Sequence, residues 1–165
     1  MLLDKINVKI YPLFEKLLKG GGFYQVEEST LQITTSHINS KNQFFSSLEC
    51  DNFRIDTDQN GKILFIELYS PKKSWLVTEN IKFPHNANKA DIRILDFRKS
   101  IAIPKLLTNH NNTILKIEWF KEHSVAHYFI ATDIVLEVNN NSQLTSIWIN
   151  NITNDIAGKS LAKSK

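Results

Sequence analysis

The chain has 165 residues, of which 42% are hydrophobic and 22% charged, and it carries a formal net charge of +3. That length is about one domain, long enough to bury a core without disulfide or metal staples, and the composition excludes a disordered or fibrous chain. The 20 basic and 17 acidic residues are interspersed, whereas a nucleic-acid binder gathers its Lys and Arg on one face, so no nucleic-acid partner is expected.

Cys50 is the only cysteine. No intrachain disulfide can form, and a reducing compartment is the simpler context. No run approaches the ~18 apolar residues of a membrane span. At the N-terminus Asp4, Lys5, Lys9, Glu15 and Lys16 interrupt the stretch that a secretory signal needs. These features lead to the expectation of a cytoplasmic protein with no membrane partner and no cofactor.

Residues 2–18, LLDKINVKIYPLFEKLL, place Leu3, Ile6, Ile10, Leu13, Phe14 and Leu17 near one helical face, and Gly20 to Gly22 would end the helix. Pro12 implies a kink or a start near that proline. Beyond the glycines, short stretches rich in Ile, Val, Phe, Thr and Tyr alternate with Asn, Ser, Gly and Pro. Strands are expected near 23–27, 30–37, 44–49, 53–57, 63–70, 74–77, 90–97, 113–120, 125–131, 133–139 and 144–150. Polar connections are expected at about 79–89 and 103–112, and a frayed basic tail at 154–165. The fold class implied is α+β: one N-terminal helix packed on a large, mostly antiparallel sheet, as a single domain over 1–153.

Moving the chain by 81 residues sets FRIDTDQNGKILFIEL at 53–68 over IVLEVNNNSQLTSIWI at 134–149 without a gap. Upstream, after a further shift of about three residues, LQITTSHI at 31–38 lies over LKIEWFKE at 115–122. Self-similarity at one long spacing suggests two similar β halves, about 25–78 and 108–153. In the first hairpin Phe53, Ile55, Thr57, Leu64, Ile66 and Leu68 would face the core. Ile134, Leu136, Val138, Thr145, Ile147 and Ile149 would do so in the second. Arg54, Asp56, Phe65 and Glu67, with Val135, Glu137, Ser146 and Trp148, then point outward.

The first hairpin also fits a calcium loop, with Asp56, Asp58, Asn60, Gly61 and Glu67 at the spacing D-x-[DN]-x-[DN]-G followed by five residues and Glu. Such a loop needs flanking helices. Here the flanks alternate with strand period, Pro71 blocks an exiting helix, and the second copy substitutes Glu137, Asn139, Asn141 and Trp148. A hairpin is favoured, with Asn60 and Gly61 supplying the turn and no metal site expected.

Other chemistry is sparse. His123 and His127 stand four apart on a predicted strand, too extended to share one ion. Cys50 lies beside Glu49 and Asp51, whose charge weakens a thiolate. The glycine run follows the predicted helix and precedes a strand, the wrong order for a phosphate loop. Lys72 and Lys73 read as a solvated turn.

The stretch IDTDQNGKILFIEL resembles the end of short bacterial strand-turn-strand domains of unknown function, which run D-x-D-x-x-G-x-hydrophobic and, two residues on, Ile-Glu-hydrophobic. The resemblance covers about 55–70 and, less closely, 136–151, where Glu137, Ser142 and Trp148 depart from it. It implies a strand, a turn and a strand, and no activity.

The leading functional expectation is a non-enzymatic bacterial module, of immunity or accessory type, that binds another protein through Trp148, Phe65, Glu67 and Glu137. Calcium binding through Asp56, Asp58, Asn60 and Glu67 is the second reading. A pocket between the halves that binds a small ligand is the third. Its enzymatic form would need several of His37, His85, His110, His123 and His127 to converge with carboxylates.

Overall fold

A computed structural model describes residues 5–35 and 44–155. Leu2, Leu3, His37 and the tail 156–165, all named above, lie outside the described residues. Among the described residues the strands are β1 Ile6–Pro12, β2 Gly20–Gln25, β3 Thr30–Thr35, β4 Ser46–Cys50, β5 Phe53–Thr57, β6 Ile63–Tyr69, β7 Leu76–Val77 and β8 Asn88–Ile94. They continue with β9 Lys99–Ser100, β10 Lys105–Thr108, β11 Leu115–Glu118, β12 Val125–Ala131, β13 Ile134–Asn139, β14 Gln143–Ile149 and β15 Thr153–Asp155. One 3-10 turn, Lys72–Ser74, is the only helical segment among them. The protein is therefore all-β and not α+β.

The expected N-terminal helix is the main correction. Ile6 and Val8 are buried with Lys9 exposed between the apolar positions, a period of two that the helical reading of the same letters overlooked. β1 pairs antiparallel with β8, Val8 opposite Ile94 and Ile10 opposite Ile92, and through Ile6 and Asn7 with β14. Long-range pairing of β-branched residues overrides a helical pattern read from spacing alone. Pro12 closes β1, and residues 13–19 cross to β2 without regular structure. The glycine run begins β2 instead of ending a helix. A Cβ on Gly20 would come within 2.7 Å of Ala131 Cβ and 2.8 Å of Ile134 Cδ1, so glycine permits a close approach between layers.

Two sheets result. One runs β1-β8-β12-β13-β14-β11-β10-β7. Because β1 also pairs with β14, the strands β1, β8, β12, β13 and β14 close into a barrel. The other is seven-stranded, in the order β15-β2-β3-β6-β5-β4-β9. Leu31, Ile33, Leu48, Phe53, Ile55, Ile66 and Leu68 from the second sheet share one buried cluster with Leu115, Ile117, Ile134, Leu136, Ile147 and Ile149 from the first. This common core, held by apolar burial, makes the two sheets one layered unit.

Corresponding strands occupy corresponding places. Phe53 faces Leu68 and Ile55 faces Ile66, as Ile134 faces Ile149 and Leu136 faces Ile147. β3 flanks β6 with Leu31 opposite Leu68, and β11 flanks β14 with Leu115 opposite Ile149. A register shift falls between Asp56 and Thr57 in one hairpin and between Glu137 and Val138 in the other. That bulge changes two of the expected core positions: Ile63 and Leu144 enter the shared core where the alternation assigned Leu64 and Thr145. Edge strands cross between the halves. β7, which follows the first hairpin, pairs parallel with β10, and β15, which follows the second, pairs parallel with β2.

Candidate functional site

The two hairpins set a carboxylate at the same outward position, Asp56 and Glu137, each next to a bulge. Their turns are alike. Asp58 Oδ1 accepts the amides of Asn60 and Lys62 at 2.8 and 3.0 Å, and Asn139 Oδ1 accepts those of Asn141 and Gln143 at 2.9 and 3.0 Å. Gly61 has φ +84° and Ser142 +57°, the left-handed backbone that these turns require. Asp58 is thus committed to turn amides.

On the barrel side, Glu137 is 5% exposed. Its carboxylate accepts the Thr145 hydroxyl at 2.7 Å and the Trp148 indole N–H at 3.5 Å. His127 Nε2 lies 3.0 Å from Oε1. Lys116 Nζ sits 3.7 Å from Glu137 and 2.8 Å from Glu118, and 5.0 Å from the centre of the Trp148 ring. Burial opposes ionisation of Glu137. The Thr145 hydrogen bond, the Lys116 charge, the neighbouring Ser146 hydroxyl and the His127 contact outweigh it and hold the carboxyl below the ordinary glutamate range. Ser146 Oγ is buried between Glu118 and Glu137 in the register.

This face is covered by the chain itself. Segment 79–87 crosses it, and Phe83 packs with Val135 and Trp148 in a second cluster, joined by Ile81, Ala87, Ile114 and Phe129. Trp148 is consequently only 8% exposed, which removes it as a surface anchor. His127 opens onto a recess of about 600 Å³ between residues 82–88 and 125–128, with His85 on the opposite wall.

The equivalent face of the seven-stranded sheet is crossed by no such segment among the described residues, although Asp56 and Glu67 on it are buried. A cross-strand row runs Phe23, Gln32, Glu67, Arg54 and Glu49, and a second row runs Thr34, Phe65, Asp56 and Ser47. Arg54 bridges two carboxylates, Nε to Asp56 at 3.1 Å and Nη2 to Glu67 at 3.5 Å. Glu67 also accepts the Tyr69 hydroxyl. Burial raises the Asp56 pKa above the ordinary aspartate range despite Arg54, and Glu67 raises that of the Tyr69 phenol through their hydrogen bond.

The four expected partner-binding residues therefore fall on opposite outer faces of the molecule, Phe65 and Glu67 on one, Glu137 and Trp148 on the other. The calcium-loop residues also part company: Asp58 serves its turn, and Asp56 and Glu67 flank Arg54. Among the described residues no group of three or more His, Cys, Asp or Glu side chains is placed to hold a metal. His110 and His123 lie at exposed turns and bends, and among the described histidines only His127 meets a carboxylate. Cys50 is half-buried, with its pKa raised by burial first and by Asp51 next. No helix among the described residues is long and apolar enough to cross a membrane.

Sequence reading missed the partners that gather around Glu137, namely Lys116, Glu118, His127 and Thr145. They come from three strands, β11, β12 and β14, and only the register brings them together. The one available signal was the outward parity of Lys116, Glu118 and Glu137 along their strands. The fold and its outer faces define an all-β protein of two sheets, one partly closed as a barrel, with two polar outer faces, one of them crossed by a segment of the chain. The chain matches no family model and no curated sequence.

Proposed function

We propose that the chain is a non-enzymatic protein-binding module whose docking surface is the outer face of the seven-stranded sheet. One observation carries this reading. The corresponding face of the barrel sheet is covered by a segment of the chain seated through Phe83, while its counterpart has no such cover among the described residues. This face combines aromatic surface with acidic side chains. Phe23 is 47% and Tyr69 54% exposed, Phe65 is half-buried in the neighbouring row, Glu49 is exposed, and Asp56 and Glu67 lie buried beside Arg54. A partner segment laid across it in the manner of residues 79–87 would bring one aromatic side chain to Phe65 and Lys or Arg to the carboxylates.

Selection of random peptides on the immobilised full chain tests this. The expected winners are basic with at least one aromatic residue. Their affinity falls at least tenfold in a Phe65→Ala, Glu67→Gln double variant and is unchanged in His85→Ala on the opposite face. Peptides that bind the double variant as tightly as the parent overturn the assignment of the face.

A further inference from the structure

The segment between β1 and β2 roofs an apolar cavity that none of the functional readings above locates. Its sequence, LFEKLLK over 13–19, is rich in helix formers, yet it has no regular structure. Its carbonyls are taken by distant groups. Lys89 Nζ donates to the Glu15 carbonyl at 2.6 Å and the Phe14 carbonyl at 3.5 Å. The Thr132 amide donates to the Leu18 carbonyl at 2.9 Å, and the Gly20 amide donates to Thr132 Oγ1 at 3.1 Å. Pinned at these points, the strap bridges a space of about 170 Å³ at the open end of the core.

The walls come from both sheets. Ile63 opens β6 of the seven-stranded sheet, Ala90 and Ile92 belong to β8, and Ile130 belongs to β12, with Leu13 and Leu18 above them. Ile63, Ala90, Ile92 and Ile130 are buried in the core, so the floor is hydrocarbon. An apolar space of roughly 150 Å³ is enough for a benzene-sized guest. Leu18 remains exposed beside it, apolar surface that an occupant would cover.

The rim carries charges of both signs, Lys16 and Lys62 with Glu15 and Asp91. Lys62, half-buried, and Lys16 both border the cavity, and among the described residues no carboxylate lies within ion-pair distance of either. Of the two acids at the same rim, Asp91 is held by Arg93 in a pair of hydrogen bonds at 2.7 and 3.0 Å, and Glu15, like Lys16, is exposed. An apolar pocket with a few convergent polar groups is the usual form of a small-molecule site. Here they include two ammonium donors, and with Asp91 already engaged by Arg93 Lys62 and Lys16 are the groups that attract an anion.

We infer that this cavity binds a small amphipathic monocarboxylate, its hydrocarbon end on Ile63, Ile92 and Ile130 beneath the strap and its carboxylate at Lys62 and Lys16. A straight or branched chain of about six carbons fits the volume. The site lies apart from the outer face of the seven-stranded sheet, so a small ligand and a protein partner can be bound together.

Titration of the full chain with hexanoate, followed by NMR of the isoleucine methyl groups, tests the inference. The expected result is a saturable shift of the Ile63, Ile92 and Ile130 methyls, with affinity about tenfold lower in Lys62→Gln, as expected for loss of one charged hydrogen bond. 1-Hexanol, the neutral probe, binds the parent more weakly than hexanoate by a similar factor. Ala90→Leu, which fills the floor, abolishes binding. Since that variant places extra volume in the core, its fold is checked by amide spectra, and Lys62→Gln tests the head-group contact without touching the core. No saturable methyl shift with hexanoate overturns the site. Equal affinity for hexanol and hexanoate, or unchanged hexanoate affinity in Lys62→Gln, overturns the anionic class.

Discussion

At the scale of single residues, the two equivalent carboxylates have opposite energetic characters. Glu137 is held below the ordinary glutamate value of 4.5, so its ionised form contributes stability that is fully present at neutral pH and is lost as pH falls from 4.5 through its folded-state value. Glu137→Gln is therefore expected to cost about 1–3 kcal/mol at pH 7, because it leaves Lys116 beside one carboxylate fewer. Denaturant unfolding at a series of pH values reads the effect: the gap between parent and variant closes in acid, and a constant gap would remove the electrostatic account. Asp56 behaves in the reverse sense. Its pKa lies above the ordinary 3.8, so its charge works against folding once pH rises past that folded-state value. Asp56→Asn is expected to raise Tm at pH 7 by about 2–4 °C, roughly 1 kcal/mol, with the gain vanishing below pH 3.8. A lower Tm for the variant at neutral pH would show that the Arg54 contact outweighs burial.

At the scale of elements, the paired hairpins differ at the left-handed turn residue. Gly61, at φ +84°, stands so close to β8 that an added Cβ would lie 2.2 Å from the Ile94 carbonyl oxygen. Gly61→Ala is expected to cost more than about 2 kcal/mol, from strain and displacement of a neighbouring strand together. Ser142 occupies the same place in the second hairpin at φ +57°, where an L side chain carries a conformational penalty. Ser142→Gly is expected to gain about 0.5 kcal/mol, the left-handed relief less the entropy of glycine. Chemical denaturation of both variants checks the pair; a destabilised Ser142→Gly would mean that the serine side chain does more than tolerate its backbone.

At the scale of the molecule, each half completes the other. β7 and β15 add to sheets whose remaining strands come largely from the opposite half, and the apolar residues of both sheets form one cluster. Neither half can open without exposing the partner's core and edge. Thermal unfolding is therefore expected as one transition with equal calorimetric and van't Hoff enthalpies. Two resolved transitions would show that the sheets melt separately.

Much of the strand content was legible locally. FRIDT and ILFIEL, rich in β-branched and aromatic residues, flank an Asn-Gly turn, and strand formers around a left-handed turn residue are a short-range signal that needs no partner. The likeness of 53–68 to 134–149 likewise appears in the letters, and their shared register follows from matching core positions. The N-terminal stretch could not be assigned in this way. Ile6, Ile10, Leu13 and Leu17 satisfy a helical stripe as well as Ile6, Val8 and Ile10 satisfy a strand, and only the arrival of β8 and β14 beside them decides. The same holds for Trp148: its strand parity sets it on an outer face, but what lies over that face is Phe83, many residues away in sequence. The amino-acid sequence by itself determined where strands alternate and turn, because those preferences act between near neighbours. Which strands meet, which face is covered and which cavity is left open were decided by the tertiary structure, because pairing and burial act between residues the chain keeps far apart.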